Sequence, residues 1–161
     1  MNQQKHTVEE AVRNFLSGYN CAQSVLLTIA NRHRVKNTLI PRIATGFGGG
    51  IGRCGSVCGA LTGGVMAMGM LYGTNKPSQK ERAKCYELTR ELFAKFKERH
   101  GVILCRDLIG YDLSIPEEAG KAGEEKVFEK KCPDFVRTVV QTLMDFDVRK
   151  DTLIVNRKSL S

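Results

Sequence analysis

Cysteine is the side chain in this sequence best suited to redox or metal chemistry, and four of the six cysteines fall at or next to predicted helix starts. They are Cys21, Cys58, Cys105 and Cys132. The free N–H groups and the dipole of a helix N-terminus favour negative charge by about 0.3–1 kcal/mol at the surface. Thiols at such positions have lowered pKa values and become reactive or metal-binding thiolates. We therefore expect the helix starts to meet at one thiolate site, with the pKa of Cys58 below its ordinary value.

Two kinds of chemistry fit such a site. Thiolates bind an iron–sulfur cluster or a zinc ion, which predicts electron transfer or redox sensing for the cluster. They also cycle between dithiol and disulfide, which predicts a thiol–disulfide oxidoreductase with Cys58 as the nucleophile. The third alternative is a noncatalytic structural or interaction protein, in which these cysteines are small buried hydrophobic residues. No C-x-x-C motif or ferredoxin-type run occurs, so spacing leaves all three open.

A glycine-rich loop precedes Cys58 and is expected to bring it to the other cysteines. Candidate cofactor-binding residues in this loop are Gly48, Gly49, Gly50 and Gly52, because glycine tolerates positive φ and close approach. The segment 50–55 also reads as GxGxxG before a helix. A dinucleotide fingerprint needs a preceding strand and a downstream acidic residue, and the sequence predicts neither. Nucleotide binding is therefore not favoured.

After the loop, small residues recur every four positions, at Gly59, Gly63 and Ala67. On a helix they form one ridge. Glycine inside a helix costs up to about 1 kcal/mol against alanine, so we expect the ridge to pack closely against another helix. We also expect a homodimer, in which this helix packing occurs across the twofold axis. The uncharged run is nearly long enough for a membrane span. Its glycines and hydroxyl residues dilute the hydrophobicity, and we expect a buried central helix without a membrane span.

The remaining pattern predicts an all-α fold: a single-domain helical bundle over residues 1–148, followed by a C-terminal tail or arm over 149–161. No long alternating strand pattern occurs. Helix starts are predicted at or beside Thr7, Asn20, Leu39, Ser78, Cys105, Ser114 and Cys132.

Composition restricts the class of protein. With 161 residues, 26% charged and 42% hydrophobic, the chain is typical of one globular domain. The first ten residues are polar, which predicts a cytoplasmic protein whose cysteines do not form structural disulfides. Cys85 shares a helical stripe with Leu88 and Leu92 and is expected in the core. The net charge of +8 is spread among glutamates, without a zinc-finger or RNP-type motif, so no specific nucleic-acid partner is expected.

The segment Cys58-Gly-Ala-Leu-Thr-Gly63 resembles the signature of the C_GCAxxG_C_C family, described as putative redox-active proteins. The resemblance covers roughly residues 8–146 and includes Tyr19–Ser24, the loop 48–52, Cys105–Gly110 and Cys132–Val136.

The resemblance implies that the family's four characteristic cysteines are Cys21, Cys58, Cys105 and Cys132, with Cys54 and Cys85 outside the pattern. The family is also similar to part of the split-Soret cytochromes, which carry haem and an iron–sulfur centre. This sequence has no C-x-x-C-H, so c-type haem is not expected. An iron–sulfur cluster and a redox partner protein are the expectations that follow.

Overall fold

A computed structural model describes the backbone of residues 2–158 and the side chains of residues 3–147. This part of the chain forms seven α-helices and one 3₁₀ segment, which confirms the all-α class. In chain order the elements are α1 (Asn2–Leu16), α2 (Cys21–Arg32), the 3₁₀ segment (Arg42–Phe47), α3 (Gly59–Tyr72), α4 (Gln79–His100), α5 (Cys105–Ile109), α6 (Pro116–Glu124) and α7 (Val127–Lys158).

Helix α3 occupies the centre of the bundle, where α2, α4 and α7 pack around it. Its small residues permit this packing. A Cβ atom at Gly63 would lie 2.6 Å from the carbonyl oxygen of Ala22 in α2. On another face, a Cβ atom at Gly64 would lie 2.8 Å from side-chain atoms of both Leu92 and Val139. The predicted close approach of a second helix is confirmed, and that helix belongs to the same chain. The homodimer stays a prediction.

Several helix ends follow the capping signals in the sequence. The Asn20 side chain accepts a hydrogen bond from the backbone N–H of Gln23, whose side chain in turn accepts one from the Asn20 N–H. This capping box starts α2 directly at Cys21. Ser78 caps α4 by accepting from the N–H of Glu81. Gly110 ends α5 in the left-handed conformation that favours glycine at this position.

Three predicted starts are wrong. Helix α1 begins at Asn2, and the Thr7 hydroxyl donates to the carbonyl of Gln3 within the helix instead of capping it. The region near Leu39 forms a 3₁₀ segment that begins only at Arg42.

The third wrong start is that of α7, which begins at Val127, so Cys132 lies in its second turn and not at its N-terminus. The sequence pattern misled because Pro133 is typical of a first turn, and here it lies inside the helix.

Helix α7 runs to Lys158 and so passes the predicted boundary between 148 and 149 without a break in its backbone. Residues 159–161 of the predicted tail lie outside the described residues. The division into domain and tail stays a prediction. Among the helices of residues 2–158, each is too short or too polar to cross a membrane.

Candidate functional site

The glycine loop takes an uncommon backbone path to the cysteines. Five consecutive residues, Gly49 to Arg53, have φ between +59° and +70°. Three of them are glycines, for which this left-handed region is not strained. Ile51 and Arg53 are not, and a left-handed L-residue costs roughly 1–2 kcal/mol. The loop turns back on itself, and the N–H of Ser56 donates to the carbonyl of Gly50 at 2.9 Å.

The loop ends in a single antiparallel bridge that joins two distant parts of the sequence. Val57 pairs with Leu104. The N–H of Cys58 donates to the carbonyl of Ile103 at 2.9 Å, and the N–H of Cys105 donates to the carbonyl of Ser56 at 2.6 Å. Side chains of extended residues alternate between faces, so Cys58 and Cys105, each one residue beyond the bridged pair, share a face. Helices α3 and α5 start here, and the bridge therefore places two helix N-termini side by side.

Two glycines allow the cysteines to approach the loop and α3. A Cβ atom at Gly50 would lie 2.6 Å from the Cβ of Cys105. A Cβ atom at Gly59, the first residue of α3, would lie 3.2 Å from the Cβ of Cys21 at the start of α2. The predicted role of the loop glycines in close approach is therefore observed for Gly50. The contact there is with a cysteine.

Arg106 links α5 to the glycine loop by hydrogen bonds. Its guanidinium donates to the carbonyl oxygens of Cys54 at 2.8 Å and Gly55 at 3.2 Å. It also pairs with the Asp112 carboxylate at 2.9 Å. The hydroxyl and N–H of Ser114 donate to the same carboxylate, and these hydrogen bonds and Arg106 lower the pKa of Asp112. Sequence reasoning missed this role of Arg106, although the residue directly follows Cys105.

These elements enclose a cavity of about 630 Å³. Its wall includes all four cysteines that the sequence singled out: Cys21, Cys58, Cys105 and Cys132. Of the candidate cofactor-binding glycines, Gly48, Gly49 and Gly52 line the cavity, whereas Gly50 lies behind Cys105. Cys54 is exposed and Cys85 is half-buried, and both lie outside the lining. The fold thus separates the six cysteines into two groups along the division that the family resemblance implied.

The thiols in the cavity wall influence one another. Cys21 and Cys132 lie within hydrogen-bonding reach, and this bond, followed by burial and the other two cysteines, raises the pKa of Cys21 well above its ordinary value. Within the described side chains, no three Cys, His, Asp or Glu residues are grouped closely enough to hold one metal ion. The four cysteines therefore share the cavity wall, without a preformed site for a single metal ion in the part of the chain that the structure describes.

Burial overrides the helix N-terminus at Cys58. The sulfur accepts from the backbone N–H groups of Ala60 and Leu61, but burial is the larger effect and raises the pKa of Cys58 to about 12. Burial, with a smaller contribution from Cys132, raises the pKa of Cys105 to about 11. The expectation of a lowered pKa at Cys58 is wrong for the protein without a bound group, because removal from water disfavours the thiolate more than two N–H groups favour it.

Fold and site together define an all-α protein with a cysteine-lined cavity beside a left-handed glycine loop. Residues 19–146 match a family model described as Putative redox-active protein (C_GCAxxG_C_C). The match covers most of the chain, and the protein belongs to this family. It includes all four cysteines of the cavity wall. No curated protein and no solved structure matches the chain.

Sequence reasoning did not find the rest of the cavity wall. Phe15 and Tyr19 come from α1 and the turn after it, Phe128 from α7, and Arg53 from the loop. Aromatic residues at helical spacing are typical of any core, so their types carried no signal of a cavity. Arg53 is the last charged residue before the uncharged run 54–75, which could have drawn attention to it. Its position at the cavity, however, depends on the left-handed backbone before it.

Proposed function

We propose that this is a redox protein in which Cys21, Cys58, Cys105 and Cys132 together hold an iron–sulfur cluster for electron transfer or redox sensing. The observation that carries the proposal is that cysteines 37, 47 and 27 residues apart along the chain line one cavity. Hydrophobic packing alone gives no reason for such a meeting. Four cysteine thiolates are the usual ligand set of [2Fe–2S] and [4Fe–4S] clusters.

The residues present fit this group by their chemistry. The wall offers four thiols and a volume of about 630 Å³, and Cys21, Cys58 and Cys105 lie at helix starts with free N–H groups nearby. A single zinc ion requires every sulfur at about 2.3 Å from one point. A cluster distributes its thiolates over more than one iron, which suits four cysteines in the wall of one cavity better. When bound, the cluster supplies one-electron chemistry.

Raised thiol pKa values make loading depend on pH. With the pKa of Cys58 at about 12 and that of Cys105 at about 11, these two thiols are neutral at pH 7. Metal ligands must be thiolates, so binding releases protons and the apparent affinity increases as the pH rises towards these values. Cys58 and Cys105 thus stay protonated until a cation compensates for their burial.

Thiol–disulfide exchange is a second candidate, favoured by the proximity of Cys21 and Cys132. In this case both thiols lose a proton and one electron each, a sulfur–sulfur bond forms, and a redox partner protein with its own disulfide accepts the electrons and protons. Cys58 is a poor nucleophile for this reaction because it is buried and its pKa is about 12. We place either activity in the cytoplasm, where thiols are kept reduced.

The test is purification of the full chain under anaerobic conditions, followed by a visible spectrum and iron, zinc and sulfide analysis. We expect iron and sulfide, with an absorption band that Cys132→Ser removes. Cys54→Ser and Cys85→Ser are matched controls outside the cavity and should retain both. Protein without iron, in which the Cys21 and Cys132 thiols oxidise reversibly to a disulfide, would favour the second candidate, and zinc alone would favour a single-ion site.

A further inference from the structure

The cavity has a second wall made of hydrophobic and aromatic side chains from α1, the turn after it and α7. Phe15, Leu16, Tyr19, Phe128 and Phe135 belong to it. Leu16 is 58% exposed and Tyr19 is 38% exposed, so this wall continues to the protein surface. A volume of about 630 Å³ lies within the range of roughly 300–1,000 Å³ found for pockets that bind small organic molecules. The cavity therefore has both the size and the lining of a small-molecule pocket.

Arg53 supplies a positive charge at this cavity. The loop folds Arg53 back onto Gly49, where a Cβ atom would lie 2.9 Å from the Arg53 Cγ and 3.1 Å from the Arg53 Cα. The absence of a side chain at Gly49 thus leaves room for the arginine stem at the cavity wall. Arg53 is exposed, and within the described residues its guanidinium has no hydrogen-bond or ion-pair partner. Its five N–H donors are available to a ligand.

Glu129 lines the same cavity from α7 and is the other charged residue of its wall. It is exposed, and its carboxylate likewise lacks a partner within the described part of the chain. Its backbone carbonyl also lacks the usual helical donor, because Pro133 has no N–H. Charge therefore favours an anionic ligand group at Arg53 and disfavours one at Glu129.

We infer that this cavity binds a small aromatic molecule that carries an anionic group, with the ring against the aromatic wall and the anion at Arg53. An arginine in this position binds a sulfonate, carboxylate or phosphate by charge-assisted hydrogen bonds. Cys132 lies between Phe128 and Phe135 on α7, so a ring against this wall would lie beside that cysteine. A role of this ligand as electron donor or acceptor rests on the proposed function; its binding does not.

The test uses isothermal titration of the anaerobically purified full chain with naphthalene-2-sulfonate and with uncharged 2-naphthol. The sulfonate should bind about fivefold or more tightly than the naphthol. Arg53→Gln should weaken sulfonate binding about tenfold, as expected for loss of a hydrogen bond to a charged group, and should leave naphthol binding unchanged. Glu129→Gln should tighten sulfonate binding about two- to threefold by removing a repulsive charge.

Arg42→Gln is the matched control, since it removes the same charge from an exposed residue of the 3₁₀ segment outside the cavity. Its effect should be below about twofold. Absence of sulfonate binding, equal losses in Arg53→Gln and Arg42→Gln, or equal affinity for the two probes would overturn the inference. Iron is measured in each titrated sample and the variants are compared at equal iron content, so a failure here and a failure of iron loading are separate results.

Discussion

The two glycine-rich regions of this protein, the loop 46–55 and helix α3, use the same residue for different physical reasons. In the loop, glycine supplies backbone conformation: Gly49, Gly50 and Gly52 all have φ between +59° and +70°. In α3 the backbone is an ordinary helix, and glycine supplies space, as at Gly63, where α2 lies in the position that a side chain would occupy. Gly50 combines both reasons, since it is left-handed and also lies against Cys105.

A run of glycines next to a cysteine is therefore not one functional unit. The loop places the bridge that aligns Cys58 with Cys105. The helix allows α2 to approach, and α2 carries Cys21. Both are needed to form the cavity, and each region also contains a glycine with open space beside it. A Cβ atom at Gly52 would meet no atom closer than 4.0 Å, and one at Gly69 in α3 would meet none within 4 Å.

The largest effect is expected from Gly63→Leu. Its Cβ would lie 2.6 Å from the Ala22 carbonyl oxygen and 2.8 Å from the Ala22 Cα, so backbone must move. We expect the free energy of unfolding, measured by urea denaturation, to fall by about 3 kcal/mol, or the protein not to fold. Gly69→Ala is the control in the same helix and should raise stability by about 0.5–1 kcal/mol. Equal effects of the two substitutions would show that the close packing of α2 against α3 does not require glycine at position 63.

Gly50→Ala is expected to have the next largest effect. Positive φ costs roughly 1–2 kcal/mol for alanine, and the new Cβ would lie 2.6 Å from the Cys105 Cβ and 2.7 Å from the Ser56 backbone nitrogen. We expect a loss of about 2–3 kcal/mol in urea denaturation and reduced iron loading, since the bridge next to Cys58 is displaced. Gly52→Ala should show the φ effect alone, about 1–2 kcal/mol. A Gly50→Ala protein no less stable than Gly52→Ala would contradict the close approach.

The smallest effect, and the opposite sign, is expected from Ile51→Gly. Ile51 is a β-branched residue at φ 62° and is 41% exposed, so little packing is lost with its side chain. Relief of the left-handed conformation gains roughly 1–2 kcal/mol, and the greater freedom of glycine in the unfolded chain removes roughly 0.5–1 kcal/mol of this. Thermal unfolding should show a gain of up to about 1 kcal/mol. A loss would mean that Ile51 makes a stabilising contact.

The sequence was sufficient to predict what depends on local chemistry. The all-α class, the caps at Asn20 and Ser78 and the end of α5 at Gly110 all follow from side chains next to the element they terminate. The family resemblance identified the same cysteines that the fold brings to the cavity. The sequence could not predict how deeply these cysteines are buried, because burial depends on how the whole bundle packs. At Cys58 burial reverses the expected direction of the pKa shift.

The start of α7 is a second feature that local sequence could not predict, and the residue concerned is Pro133. Pro133 is compatible with a first turn and also with the interior of a helix whose neighbours hold it in place, and only tertiary packing decides between them. Cys132 therefore reaches the cavity from the second turn of a helix, without the free N–H groups that Cys21, Cys58 and Cys105 have nearby. Its position beside Cys21 comes from how α7 packs, which no local pattern encodes.

The most direct test of the central claim is an iron anomalous difference map from crystals of the protein loaded with iron and sulfide under anaerobic conditions. We predict iron inside the cavity, with the sulfurs of Cys21, Cys58, Cys105 and Cys132 as its protein ligands and Cys54 and Cys85 free of metal. Iron outside the cavity, or iron held by Cys54 or Cys85 in place of a cavity cysteine, would contradict it.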